Sequence, residues 1–318
     1  MKKALIVRFS SLGDVALVSV LIDPLIEAGY RPYLLTFEPY NTLFEDDRRV
    51  RVIPAKREGF PRRDLIGRLK EERFDLIIDA HRNLRSTILR VFLRGRWVSY
   101  RKDTLRRRIA VMFGWFKRPF YVTEGYLEAL RKAGVDGRPV PRILVSEERI
   151  RKVSSFLPRG DFVAIAPGAR YRKKVYPRFG DVADLLRGEG LEVVWVGDGR
   201  DSELVHGLPG VNLCGRLSLP DLLAVLKTAR LFVGNDSGPL HCARAVGTKA
   251  VQIYGGTHPT LGFSLHPWEG SVILKDLPCQ PCDLHGKGDC RFGDYRCLDI
   301  DPRAVFEVCM KILRENAS

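Results

Sequence analysis

Three short stretches of this sequence gather the small, charged and imidazole side chains from which an anion site can be built. The sharpest is Val233-Gly234-Asn235-Asp236-Ser237-Gly238-Pro239-Leu240-His241. Here a strand is expected to run straight into a helix whose first turn lacks bulky side chains. Free N–H groups at such a helix start attract phosphate, and Gly238 lets a pyrophosphate come close. The same residues also make a self-contained helix start, with Asp236 as cap and Pro239 in the first turn. A second stretch, Ala166-Pro167-Gly168-Ala169-Arg170-Tyr171-Arg172-Lys173-Lys174, sets a glycine turn beside clustered cations. It suits a phosphate group, or is simply a solvated basic loop. The third, Arg8-Phe9-Ser10-Ser11-Leu12-Gly13-Asp14, is a turn of small residues with a carboxylate at a helix start, where Asp is also an ordinary cap. It lacks the G-x-G-x-x-G pattern of a dinucleotide site.

The elements that must hold these loops alternate. Ala4 to Phe9 is a compact apolar run, followed by helical spacing through Val15, Val18, Leu21, Ile22 and Leu25. Strand-like runs recur at Tyr33 to Phe37, Val50 to Ile53 and Phe74 to Ile78, with a helix around Leu65 to Leu69. A turn near Leu157-Pro158-Arg159-Gly160 divides the chain, and the rhythm resumes at Phe162 to Ala166, Leu191 to Val196, Leu231 to Val233 and Ala250 to Tyr254. Strands alternating with helices predict parallel sheets covered on both faces. The expectation is an α/β protein of two Rossmann-like domains, residues 1–157 and 158–318. In such sheets ligands bind beyond the carboxyl ends of the strands, where all three loops fall.

The chain has 318 residues, 45% of them hydrophobic, and a formal net charge of +15. That size supports two folded domains. The start lacks the long apolar stretch of a signal peptide, and no run approaches membrane-spanning length, so a cytoplasmic location is expected. The charge implies an acidic partner. Basic residues crowd between Arg82 and Arg118, among them Arg85, Arg106 and Arg107, interleaved with Trp97, Phe113, Trp115 and Phe116. This predicts a folded surface meeting something acidic and partly greasy, or else an ordinary charged helical face. Four of the seven cysteines, Cys279, Cys282, Cys290 and Cys297, follow C-x2-C-x7-C-x6-C. Such spacing is compatible with a structural zinc, with disulfides or with reduced thiols. Cys214, Cys242 and Cys309 read as buried small hydrophobes.

In order and spacing, SSLGD at 10–14, APGA at 166–169, NDSGPLH at 235–241 and YGGTHP at 254–259 resemble the ADP-heptose:lipopolysaccharide heptosyltransferases, glycosyltransferase family 9. FDLIIDAHRNL at 74–84 is similar to a further family segment, so the likeness covers nearly the whole chain. The resemblance implies a GT-B fold, with an N-terminal acceptor domain and a C-terminal nucleotide-sugar domain facing across a cleft. It implies Asp14 as general base; Ser10, Ser11 and Gly13 of the same loop, and Arg82, Arg85, Arg106 and Arg107 of the basic stretch, are expected as acceptor contacts. Gly168, Lys174, Asp236, Ser237, Gly238 and His241 are implied at the donor nucleotide. Many relatives carry Pro-Thr-Asp where this chain has Gly256-Thr257-His258, and Gly197-Asp198-Gly199-Arg200-Asp201 fits the family only loosely.

The implied reaction moves heptose from ADP-heptose to Kdo-lipid A or heptosyl-Kdo-lipid A in a single inverting displacement. It needs no cofactor for the chemistry itself, and dependence on a divalent cation is left open. The protein is then expected to sit peripherally on the inner face of the inner membrane, its basic stretch meeting the acidic acceptor and anionic headgroups. The competing readings are a GT-B transferase using another nucleotide sugar, a sugar-nucleotide epimerase, and a basic nucleic-acid-binding protein. No recognisable nucleic-acid-binding module supports the last, so no nucleic-acid partner is expected.

Overall fold

Short buried apolar runs are the seeds of both sheets. The computed structural model describes residues 1–114 and 118–316, so Trp115, Phe116 and Lys117 of the basic stretch lie outside the described residues. The first sheet is built from β1 (Lys2–Val7), β2 (Tyr30–Phe37), β3 (Arg51–Ala55), β4 (Leu76–Asp79) and β5 (Arg96–Ser99), in the spatial order β3-β2-β1-β4-β5. All of its pairs are parallel, with Ile6 beside Leu34 on one side and Ile78 on the other. The second sheet comprises β6 (Phe162–Ala166), β7 (Glu192–Trp195), β8 (Val211–Asn212), β9 (Leu231–Asn235), β10 (Ala250–Ile253) and β11 (Gly270–Ile273), in the order β11-β10-β9-β6-β7-β8, again all parallel. Parallel pairing requires crossovers, which the intervening helices supply.

Each sheet has its own apolar core. Around the first, Leu5, Val7, Phe9, Tyr33, Leu35 and Phe37 pack with Leu65, Leu69 and Leu89 from the covering helices. Around the second, Val163, Ile165, Val193, Trp195, Val233 and Ile253 pack with Phe179, Val182 and Leu186 on one helix and Val305, Cys309 and Leu313 on another. Trp195 is fully buried, and its indole N–H donates to Pro209 O at 2.8 Å, so the one polar atom of a large core residue is satisfied.

The chain divides into two compact units, but not at the expected place. The first comprises Met1–Lys102 and Val122–Ser146; the second comprises Asp103–Tyr121 and Glu147–Ser318. The boundary expected near 157 moves to 146 because the helix Glu147–Ser154 pairs with the second unit. Arg149 Nη1 lies 3.1 Å and Lys152 Nζ 2.9 Å from the Asp221 carboxylate, on the helix Leu219–Thr228. The excursion 103–121 joins the second unit through the helix Thr104–Phe113: the Arg107 guanidinium lies 5.3 Å from the Phe120 ring and 5.7 Å from the Phe263 ring. Among the described residues no helix is long and apolar enough to cross a membrane.

Asp221 thus fastens the 147–154 helix by two cations. Replacing Asp221 with Ala removes the acceptor that these two cations share and is expected to lower unfolding free energy by about 1–3 kcal/mol. Urea denaturation followed by circular dichroism measures this, and an unchanged midpoint would refute the role given to these ion pairs.

Candidate functional site

In an open parallel sheet, strands whose crossovers run in opposite directions leave a crevice at their carboxyl ends, and ligands bind there. In the second unit this switch lies between β6 and β9, which are hydrogen-bonded neighbours. The loops that leave these two strands are Pro167 to Lys174 and Asp236 to Gly238, two of the three stretches singled out in the sequence. They meet at one carboxylate. Lys174 Nζ stands 2.8 Å from Asp236 Oδ2, and the Thr257 hydroxyl donates to the same oxygen at 2.9 Å. His241 Nε2 faces Asp236 Oδ1 at 3.9 Å. Burial opposes ionisation of Asp236, but the Lys174 ammonium, His241 and the Thr257 hydroxyl outweigh it and hold the carboxyl below its ordinary range. The pair fixes where the Lys174 ammonium points.

Asn235 ties the strand end to the neighbouring loop. Its side-chain amide donates to Pro167 O at 2.9 Å and Gly168 O at 3.3 Å, and its carbonyl accepts from Tyr176 N at 3.0 Å. Gly168 is required for space, since a Cβ there would fall 1.7 Å from Asp201 Oδ1. Ser237 is the N-cap of the helix Gly238–Ala245, yet its hydroxyl makes no capping bond; the Oγ is buried without a hydrogen-bond partner. The helix start therefore presents backbone N–H groups and a hydroxyl with their bonding capacity in hand.

Behind Lys174 the chain is braced by the Cys-rich segment. Gly256 N donates to Lys173 O at 2.6 Å, Gln280 Nε2 donates to Gly255 O at 2.6 Å, and Cys282 N donates to Gly256 O at 2.9 Å. All seven cysteines are free, which excludes the disulfide expectation in this structure. Cys279, Cys290 and Cys297 lie close enough to Cys282 to act on it electrostatically; burial first, then the neighbouring thiols, pushes the Cys282 thiol up. Among the described residues, however, no group of three or more His, Cys, Asp or Glu is arranged to hold a metal ion. The spacing thus brings the four thiols near one another, while a zinc site also requires their lone pairs to converge on one point.

In the first unit the corresponding switch lies between β1 and β4. The loop after β1 carries Asp14, and the loop after β4 carries His81 and Arg82. Arg8 is the joint between them: its Nη2 lies 2.5 Å from Asp14 Oδ1, its Nη1 donates to Ala80 O at 2.7 Å, and its Nε donates to Ser10 O at 3.0 Å. Asp14 Oδ2 accepts from the Ser11 hydroxyl at 2.9 Å and from Ser11 N at 3.3 Å, so Asp14 is the acidic member of a capping box. Burial again opposes charge, and the Arg8 guanidinium with the Ser11 bonds overcomes it, holding the Asp14 carboxyl below its ordinary range. Asp14 is thus both the third-residue partner of the Ser11 cap and a charged group beside a crevice.

The β4 loop is fixed by Asp79, whose carboxylate accepts from His81 N at 3.1 Å, Arg82 N at 2.6 Å and the Ser86 hydroxyl at 2.8 Å. His81 Nδ1 is buried without a partner, and its ring lies 5.2 Å from that of Phe9. Burial, reinforced by the Arg8 and Lys102 charges, pushes the His81 imidazole down to about 3, so it is neutral at physiological pH.

Of the expected acceptor contacts, Ser10, Ser11, Gly13, Arg82 and Arg85 lie in the first unit, with Arg85 set 5.6 Å from the Phe37 ring. Arg106 and Arg107 do not: they belong to the second unit, where Arg106 Nη2 donates to Arg118 O and Arg107 packs on Phe120 and Phe263. Asn235, Thr257, Arg8 and His81 were not among the predicted site residues. Arg8 and His81 each carried a signal, a charged or imidazole group immediately beyond an apolar strand.

The profile of glycosyltransferase family 9 (heptosyltransferase) matches residues 62–288. Lipopolysaccharide heptosyltransferase 3 of Escherichia coli is 30% identical over 230 residues, and that match spans 66% of this chain and 66% of that protein, about two-thirds of its length. The crystal structure of a glycosyl transferase family 9 protein from Veillonella parvula superposes with a TM-score of 0.77 at 20% identity, covering 99% of this chain and 98% of that one. E. coli ADP-heptose lps heptosyltransferase II gives 0.74 at 20% identity over 100% of both chains. These structures share the fold, the GT-B arrangement of two Rossmann-like domains.

The linkage between Asp236 and folding gives a signed expectation. A carboxyl whose proton affinity is depressed on folding contributes stability in full above its unfolded pKa, about 3.9, and loses it as pH falls through the folded value. The stability difference between the wild type and Asp236→Asn in urea titrations is expected to be flat from about pH 5 to 8 and to shrink below about pH 4. A difference that grew toward acid would contradict the depressed affinity.

Proposed function

Because this chain belongs to glycosyltransferase family 9, we propose that it is an inverting heptosyltransferase that moves heptose from ADP-heptose to the inner core of lipopolysaccharide, with Kdo-lipid A or heptosyl-Kdo-lipid A as acceptor. The observation that carries this reading is the pair of switch-point sites, one in each unit: a cation aimed by a buried carboxylate at a helix start, and a charged aspartate beside β4.

The chemistry divides between them. The acceptor hydroxyl oxygen forms the new bond to the anomeric carbon while the bond from that carbon to the diphosphate oxygen breaks. The hydroxyl proton passes to the Asp14 carboxylate, and the negative charge of the departing ADP is met by Lys174, by the N–H groups at the start of the helix Gly238–Ala245 and by His241. The Arg8 pairing keeps Asp14 ionised but makes it a weak base, which suits a displacement whose proton moves late, after the hydroxyl has become acidic by bonding to the sugar. His81, neutral and with a buried Nδ1, adds a hydrogen-bonding group for an acceptor hydroxyl. The Cys-rich segment has a structural role, its Gln280 side chain and Cys282 backbone N–H bracing the loop behind Lys174, and its four gathered cysteines are the candidate ligands of a structural zinc.

The reading extends to location. On the helix Leu84–Phe92, Leu84 is 76% and Val91 81% exposed, one above the other across two turns, with Arg85 and Arg90 exposed beside them. Apolar side chains flanked by arginines suit the surface of an anionic bilayer, and a peripheral position at the cytoplasmic face of the inner membrane follows.

Two measurements test the proposal. Asp14→Asn is expected to leave ADP binding intact and to lower turnover of ADP-heptose onto Kdo-lipid A by about 10²–10⁴-fold; wild-type turnover would remove Asp14 from its role. A mass-resolved screen of nucleotide sugars without acceptor separates transfer from epimerisation, since conversion of the donor alone would overturn the transferase reading. For the membrane surface, Arg85→Glu and Arg90→Glu together are expected to weaken binding to vesicles containing phosphatidylglycerol by at least about fivefold per arginine. Unchanged sedimentation with such vesicles would exclude this face.

A further inference from the structure

Arg244 and Glu269 form a buried ion pair to which the transfer chemistry gives no task. Arg244 is 3% and Glu269 8% exposed. Arg244 Nε donates to Glu269 Oε1 at 3.0 Å and its Nη2 lies 2.8 Å from Oε2. Glu269 is itself held, since Oε2 accepts from His266 N at 2.7 Å. Two charges withdrawn from water are a poor device for stability, because apolar side chains of similar volume commonly replace such a pair at no loss. Its third guanidinium nitrogen is more informative: Arg244 Nη1 reaches His241 Nδ1 at 3.4 Å, one helical turn away.

A guanidinium has only donors, so Nδ1 of His241 has to accept. A proton on Nδ1 would set two donors against each other beside a fixed positive charge. The ring proton is thereby sent to Nε2, which faces Asp236 Oδ1 at 3.9 Å, on the side where Lys174 also points. Around the imidazole stand, among other groups, Arg244, backed by Glu269, behind it, Asp236 with Lys174 in front, and the Phe263 ring at 5.7 Å to one side.

Resting on the donor-site reading above, we propose that Arg244, locked by Glu269, is a positioning residue that fixes His241 in the Nε2-protonated tautomer, so that the imidazole offers an N–H donor to the diphosphate of the nucleotide sugar. One ring nitrogen of a histidine is commonly set by the bond the other makes. The arrangement selects a ligand group that accepts hydrogen bonds, as phosphate oxygens do.

The test reads the tautomer directly. Long-range nitrogen–proton NMR spectra of the full chain, with His241 assigned by its loss in His241→Asn, are expected to show protonated Nε2 and bare Nδ1 near neutral pH. Removing the pair together, Arg244→Met with Glu269→Met, avoids stranding either charge and is expected to release the tautomer into a mixture and to weaken ADP binding by about tenfold. Arg244→Lys, which keeps the charge and a donor, is expected to retain part of both. A wild-type His241 protonated on Nδ1, or a double variant that keeps tautomer and ADP affinity alike, overturns the inference. A chain that shows the Arg244-dependent tautomer but takes up no ADP would instead sink the donor-site reading and leave the lock standing.

Discussion

A single buried carboxylate, Asp236, organises the second unit's functional end. A negative charge inside a protein persists only where partners compensate for lost water. Here those partners arrive from two loops and a helix: Lys174 from beyond β6, Thr257 from beyond β10, and His241 from the helix that Asp236 introduces. Each is placed by the parallel pairing of β6, β9 and β10, so the sheet order and the charge balance specify one another. Loss of any partner leaves Asp236 undercompensated, which ties the integrity of the site to the stability of the fold.

The first unit solves a related problem with opposite emphasis. Arg8 satisfies a carbonyl on each of two loops and a carboxylate on a helix start, so that one guanidinium fixes the ends of β1 and β4 together. The Asp79 carboxylate does the same for the β4 loop by accepting from two backbone N–H groups and a hydroxyl. Polar groups near the crevice are therefore immobilised by hydrogen bonds before any substrate arrives, and little reorganisation is left to the reacting step.

Legibility in the sequence followed burial. The strand Phe162–Ala166 was read at its true bounds because five consecutive buried apolar residues leave no other interpretation. β5 was missed: Arg96–Ser99 is a four-residue edge strand inside an arginine-rich stretch, where exposure erases the apolar signature. β8 and β11, also at sheet edges, escaped for the same reason. The glycine-rich loops were visible because their composition is set by close backbone approach, as at Gly168. Asn235 and Thr257 were not, since an amide or hydroxyl acquires its meaning only from the chain segments it bridges. The cysteine spacing foretold that the thiols gather, because sequence distance constrains where they lie far better than where they point.

The excursion 103–121 leaves one unit and returns to it after lodging in the other. The two halves are consequently not interchangeable cassettes. A chimera joined at residue 146 would import a foreign front half together with a foreign patch of the rear half's own surface, the patch that carries Arg107 against Phe263. Successful recombination between homologues therefore has to transplant this strip along with the rear half, a discontinuous graft that a single crossover cannot deliver. The path of the chain makes the pair of modules inherit as one.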